Sequence, residues 1–411
     1  MTRRKNLKPE TRIIEEGYQH KLAMNSAKPP LYLTSTFVFD SSEQGARFFD
    51  VTHGHGSPED GGLIYSRIGN PNLSIFESRV RVFDGGEAAA AFSSGMSAIS
   101  TMLMTLFDPD SYLAYAEPLY GGTEEFLAAI APKLGIRSLP IRAGDHAAKA
   151  LVELAEREGP PWMVFLETPA NPSIEMTDIG DVAEAAHSME EKGRRPLVAV
   201  DNTFLGPIFQ QPLKHAADLV VYSCTKFIGG HSDFVGGALI GSEEHIKRVK
   251  GYRSKIGTTM DPFSAWLGCR SLETLDVRMR RSNETAKRIA AELDKHPSVL
   301  SVNYPELFPE GSTQRAIYEK QCTGSGALIS FDLASKKAAF AFLDALEVFT
   351  LAVSLGGNES LAEHPAAHTH SGIPAEIRAK IGVGEGLARL SIGLEHPDDL
   401  LADIFQALEK I

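Results

Sequence analysis

Short apolar runs alternate with longer amphipathic stretches through the first two thirds of the chain, and this rhythm predicts strands joined by helices. Strands are expected at residues 89–92, 111–115, 163–167, 197–200, 219–223 and 237–240. The run Leu197-Val198-Ala199-Val200 is apolar at every position, as in a strand buried on both faces. Helical connections between such strands imply a mostly parallel sheet covered by helices, an α/β architecture. Beyond residue 265 the texture changes to a long helix at 282–295, strands at 298–302 and 327–333, a helix at 336–346 and a last strand at 388–392. That is an α+β pattern, so a second domain is expected over 266–411, after a large domain over 65–265. Residues 1–64 contain Pro29-Pro30 and few periodic segments. They read as an arm that packs on something else, such as another subunit.

Composition narrows the function classes. The 411 residues carry a formal net charge of -12, which disfavours nucleic acid or an anionic membrane as a partner. No apolar run approaches the ~18–20 residues that span a bilayer, and Met1-Thr2-Arg3-Arg4-Lys5 leads into polar residues, so the cytoplasm is the expected compartment. Cys224, Cys269 and Cys322 are too few and too scattered for a disulfide framework or a zinc site. His53, His55, His364, His368 and His370 lack the cysteine or carboxylate that would complete a closed ligand set, so no metal is expected.

The most informative residue is Lys226, in Tyr222-Ser223-Cys224-Thr225-Lys226, a short distance after Val198-Ala199-Val200-Asp201. Pyridoxal phosphate needs an amine for its aldehyde and a carboxylate that keeps its pyridine nitrogen protonated. Lys226 and Asp201 supply both, and Ser223 and Thr225 add hydroxyls for a phosphate. Asp201 ends a buried strand, at the rim where open α/β sheets bind ligands, although an Asp there also caps turns. Ser94-Gly95-Met96 marks a strand-to-helix junction whose free amides suit a phosphate; alone, it reads more readily as a plain turn with Ser94 as helix cap. Tyr120, followed by Gly121-Gly122, can lie flat over a planar ring and pass protons. Arg389, alternating with Leu390 on a strand, needs a carboxylate partner. A substrate α-carboxylate or an internal Asp or Glu would serve.

In this order, with Tyr65-Ser66-Arg67, Glu167-Thr168-Pro169-Ala170-Asn171-Pro172, Ser354-Leu355-Gly356 and Arg389-Leu390-Ser391-Ile392-Gly393, the chain resembles the Cys/Met metabolism family of pyridoxal-phosphate enzymes over nearly its whole length. The family includes cystathionine γ-synthases and γ-lyases, methionine γ-lyases and O-acetylhomoserine sulfhydrylases. The resemblance implies a fold type I PLP-dependent transferase: a mostly parallel seven-stranded sheet in the large domain and a smaller α+β C-terminal domain. By the same resemblance Lys226 carries pyridoxal 5'-phosphate and moves protons, and Asp201 pairs with the pyridine nitrogen. Tyr120 stacks on the ring and Asn171 reaches its 3-hydroxyl region, while Ser94, Gly95, Met96, Ser223 and Thr225 hold the phosphate. Tyr65 and Arg67 are expected to complete a neighbouring subunit's site in a homotetramer of two dimers, with Tyr120 or Tyr65 as acid. Ser354 and Arg389 are expected to grip the substrate carboxylate.

The implied reaction is γ-elimination or γ-replacement on a γ-substituted L-amino acid of the methionine or homoserine type, giving 2-oxobutanoate and ammonia or a thioether. The set Lys226, Asp201, Tyr120 and Arg389 favours an active enzyme over a cofactor-binding scaffold without turnover. Departures from familiar members bear on the substrate. Methionine γ-lyases usually carry Cys where Gly122 stands, and a Lys-Asp pair where Arg253-Ser254 stands. Enzymes that handle cystathionine usually place Glu where Val353 stands, so Val353 points away from cystathionine. The stretch 48–62 looks longer than the family norm. Non-standard substrates such as canavanine are therefore kept beside O-acyl homoserines.

Overall fold

A computed structural model describes residues 7–191 and 193–411; the first six residues of the expected arm lie outside it. Twelve strands form two sheets among the described residues: β1 (Ala88–Phe92), β2 (Leu113–Glu117), β3 (Ser138–Arg142), β4 (Met163–Glu167), β5 (Leu197–Asp201), β6 (Leu219–Ser223) and β7 (Gly237–Gly241), then β8 (Ser301–Asn303), β9 (Leu328–Asp332), β10 (Thr350–Leu351), β11 (Leu361–Glu363) and β12 (Leu387–Ser391). The large sheet has the order β1-β7-β6-β5-β4-β2-β3. Only β7 runs against the others, pairing antiparallel with both β1 and β6. The C-terminal ends of β1, β2, β4, β5 and β6 therefore collect on one rim, where ligands bind in such sheets. Register aligns that rim, with Glu167 of β4 opposite Asp201 of β5.

All six strands expected in the large sheet are present, two with the expected ends and four with ends displaced by one or two residues. The seventh, β3, implied by the resemblance, was not located in the sequence. It carries Pro140, which cannot donate to a ladder, and it lies at the sheet edge, where a strand has a partner on one side only. The β5 core residues Val198, Ala199 and Val200 are fully buried, as their unbroken apolar run requires. Beneath the rim, Tyr222 donates to Asp84 (2.8 Å) and accepts from Asn202 (2.8 Å), which itself accepts from Gln210 (2.8 Å). These bonds satisfy polar groups that β5 and β6 carry into the core.

The second sheet, β10-β11-β12-β9-β8, follows the long helix Leu275–Leu293. Strands β8, β9 and β12 lie on or beside the expected runs, whereas β10 and β11 are additions of two and three residues. Residue 265, our proposed division, falls inside the helix Pro262–Leu272, which packs on the helix Pro71–Val80. Arg79 joins the two regions through Glu273 (2.9 Å). The two ends of residues 48–62 meet, since a Cβ on Gly62 would strike the Phe48 ring at 2.2 Å, and Phe48 also meets Phe39 edge-on. No helix among the described residues is long and apolar enough to cross a membrane.

Candidate active site

A cavity of about 260 Å³ opens at the rim of the large sheet, with β12 of the second sheet closing one side. Its floor comes from the ends of β4, β5 and β6. Asp201 accepts the Thr203 amide (3.0 Å) and hydroxyl (2.6 Å), both on Oδ1. Burial pushes its carboxyl above the usual range, and the Thr203 bonds only partly offset this. A cationic N–H delivered by a ligand would relieve that cost, and a protonated pyridine nitrogen is such a group.

Lys226 follows β6. Its Nζ donates to Ser354 Oγ at 3.0 Å, and burial, then the Arg389 charge, lower its pKa while Glu363 raises it. A lysine held towards its free amine is the form that attacks an aldehyde. Across the floor, the helix Gly95–Leu106 presents the amides of its first turn, and Ser94 caps it by accepting from Ser97 N at 3.0 Å. The approach is close because side chains are missing: a Cβ on Gly95 would sit 3.0 Å from Ser223 Cβ, and one on Gly237 only 2.1 Å from Ser94 O. Ser223 and Thr225 line the same corner. Free amides, hydroxyls and glycine-lined backbone form a cradle for a phosphate.

Tyr120 covers the cavity with its ring half exposed, and a Cβ on Gly122 would meet Tyr120 Cε1 at 2.6 Å. Glu167 carries this wall. Its Oε2 accepts the Tyr120 amide (2.7 Å) and its Oε1 the Asn171 amide (3.1 Å). Burial, reinforced by Asp201, pushes its carboxyl up to about 8. Glu167 is the residue sequence reasoning left without a role; the signal available was its place in the Glu167-to-Pro172 stretch.

Arg389 is almost fully buried on β12. It donates to Asn171 Oδ1 (3.0 Å) and to the carbonyls of Val353 and Ser354 (3.1 Å each), and it pairs with Glu363 Oε1 at 2.7 Å. The internal carboxylate that an Arg there requires is thus Glu363, a partner supplied by strand pairing between β11 and β12. Val353 stands exposed at the cavity mouth with Val235.

Eleven expected site residues line this one cavity: Ser94, Gly95, Met96, Tyr120, Asn171, Asp201, Ser223, Thr225, Lys226, Val353 and Arg389. Ser354 adjoins it through Lys226. Tyr65 and Arg67 do not line it. They lie together at the surface, with the Arg67 guanidinium 5.7 Å from the Tyr65 ring centroid and donating to Ser254 O. Arg253 is also outside the cavity, buried against Glu77 (2.7 Å) and Ala91 O (2.6 Å). Cys224 is a buried thiol whose pKa burial raises. Among the described residues no three His, Cys, Asp or Glu side chains gather as a metal site.

A lysine amine and a buried carboxylate at the rim of a mostly parallel sheet, beside a phosphate cradle, define an α/β enzyme that works with pyridoxal phosphate. The chain belongs to the Cys/Met metabolism PLP-dependent enzymes, whose family profile matches residues 10–409. It is 40% identical over 413 aligned positions to an L-methionine gamma-lyase of Pseudomonas deceptionensis, covering 99% of this chain and 98% of that one. To a cystathionine gamma-lyase of Bacillus subtilis it is 36% identical, over 98% of this chain and 100% of the relative. Its fold matches a crystal structure of cystathionine gamma synthase from Xanthomonas oryzae pv. oryzae, in complex with aminoacrylate and cysteine, with a TM-score of 0.88, 36% identity and 98% of each chain covered. Relatives of these kinds place the chain among carbon–sulfur lyases and transferases that eliminate or replace a γ-substituent, with a small amino acid as substrate.

Proposed function

We propose that the protein carries out γ-elimination, or γ-replacement in the presence of a thiol, on a γ-substituted L-amino acid whose tail is uncharged, methionine or an O-acetylhomoserine rather than cystathionine. The observation that carries this is the charge inventory of the cavity. Among the described residues four ionisable side chains line it, Glu167, Asp201, Lys226 and Arg389, and each already has a partner or a task. Its exposed aliphatic lining is Val235 and Val353, so a distal ammonium there would find no carboxylate among the described residues.

In this reading the bound cofactor supplies the electron sink. Lys226 binds it, then uses Nζ to take the proton from the substrate Cα, with Ser354 Oγ orienting the amine. Asp201 holds the pyridine nitrogen protonated. Ser94, Gly95, Met96, Ser223 and Thr225 hold the phosphate, and Arg67 and Tyr65 of a neighbouring chain complete it in a cytoplasmic homotetramer. Tyr120 covers the ring and passes a proton to the departing γ-group; Asn171 faces the 3-hydroxyl. Arg389 and Ser354 grip the carboxylate, and Val353 flanks the tail.

The test is a panel of methionine, cystathionine, canavanine, O-acetylhomoserine and O-succinylhomoserine, with and without a thiol, scored for 2-oxobutanoate and thioether. Methionine or O-acetylhomoserine should exceed cystathionine in kcat/KM by roughly tenfold or more, since an unpartnered buried charge costs more than about 1.4 kcal/mol. Preference for cystathionine or canavanine would refute the uncharged tail. Lys226→Ala should be inactive and lose the yellow colour of the bound cofactor.

A further inference from the structure

Arg389 meets its substrate with its charge already balanced. Glu363 lies opposite it in the β11–β12 register, and the two side chains are 1% and 2% exposed. One oxygen of Glu363, Oε1, takes Arg389 Nη2 at 2.7 Å and the Thr369 hydroxyl at 3.3 Å. Its other oxygen, Oε2, is buried without a partner, and so is Nε of Arg389. The pair thus holds one unused acceptor and one unused donor beside the cavity that Thr369 and Arg389 line.

If Arg389 anchors the substrate carboxylate, as the proposed function holds, binding puts two carboxylates on one buried guanidinium. Like charges at such a distance cannot both persist in a low-dielectric site, and one takes a proton. The α-carboxyl of an amino acid is the stronger acid of the two types. Burial meanwhile pushes the Glu363 carboxyl up against the lowering pull of Arg389, Thr369 and Lys226. Besides Lys226 there is His370, bonded to Thr369 at 2.9 Å; burial, then the Arg389 and Arg378 charges, hold its pKa down to about 4, so it stays neutral and supplies no compensating charge.

We propose that Glu363 is a positioning residue that sets the Arg389 fork while the site is empty and takes one proton from solvent onto its carboxylate when a substrate carboxylate binds. The only bond made is that O–H, and no electrons change hands. Substrate affinity would then be linked to pH with a definite sign. Binding that takes up a proton is strongest at low pH, and it weakens by up to roughly tenfold per pH unit once solvent no longer supplies the proton freely.

The test uses holoenzyme and 4-(methylthio)butanoate, which is methionine without its amine and so cannot react with the cofactor. Titration calorimetry in two buffers of different ionisation enthalpy, near neutral pH, counts the protons. About one should be taken up per site in wild type and none in Glu363→Gln, whose amide oxygen still accepts from Arg389 and Thr369. Affinity should fall with pH in wild type and stay flat in the variant. A wild-type count of zero, or equal counts in both proteins, would overturn the proposal. Such a result leaves the carboxylate anchor standing if Arg389→Ala abolishes binding, whereas binding undiminished in Arg389→Ala overturns the anchor and the proposal together. Should Glu363→Gln fail to fold, the wild-type count decides alone.

Discussion

Glu167 holds two cavity walls with one carboxylate, because its two oxygens receive the amides of Tyr120 and Asn171. In Glu167→Gln one of those amides would face an NH2 group. A buried donor left without an acceptor costs about 1–3 kcal/mol. Since Tyr120 and Asn171 both line the cavity, the loss should appear as weaker cofactor retention and a kcat/KM lower by roughly five- to a hundredfold. Equilibrium dialysis of the cofactor and steady-state kinetics check this, and unchanged values in both would remove Glu167 from the site. Lys226 and Asp201 were legible in the sequence because their chemistry is distinctive at short range. Glu167 was not: its bond to Tyr120 spans 47 residues, and a Glu closing an apolar run looks like the solvent end of a strand. Arg389 was half legible, since its need for a carboxylate followed from strand alternation, while the identity of Glu363 depended on which strands pair.

At the level of elements, the cradle proposed for the phosphate depends on β7 passing under the junction between β1 and the helix Gly95–Leu106. Gly237 makes that crossing possible, with room for no side-chain atom between it and Ser94 O. Gly237→Ala should push the junction out of place. Overpacking of this kind costs about 1–3 kcal/mol, so cofactor affinity should fall by roughly tenfold while the far edge of the sheet keeps its fold. Cofactor titration by absorbance, beside far-ultraviolet circular dichroism, separates the two effects. An alanine variant with wild-type affinity would show that the helix is not fixed by this contact. The same elements show what sequence periodicity captures. Strands β4, β5 and β6 are buried on both faces and announce themselves as continuous apolar runs. Edge strand β3 contains a proline, and β10 and β11 span two and three residues, too few for any period to register.

For the whole molecule, the cation count at the cavity argues for assembly. Among the described residues the two cations lining it are Lys226, bonded to Ser354, and Arg389, paired with Glu363. Neither remains for a phosphate dianion lying between the Gly95 helix and Thr225. Arg67 is outside its own chain's cavity, at the surface beside Tyr65. The arm around it leaves Leu33, Val38, Phe39 and Phe49 exposed, apolar surface of the sort that marks an interface. In a two-fold dimer, whatever one chain gives its partner it also receives. Arg67→Ala and Lys226→Ala chains, each inactive alone, should therefore complement one another: a mixed dimer has one site with both changes and one with neither. Random exchange of equal amounts should restore about a quarter of wild-type activity, because half the dimers are mixed and half of their sites are intact. Activity measured after subunit exchange decides it. A mixture as inactive as its parents would mean that each chain completes its own site, and Arg67 would then need another role.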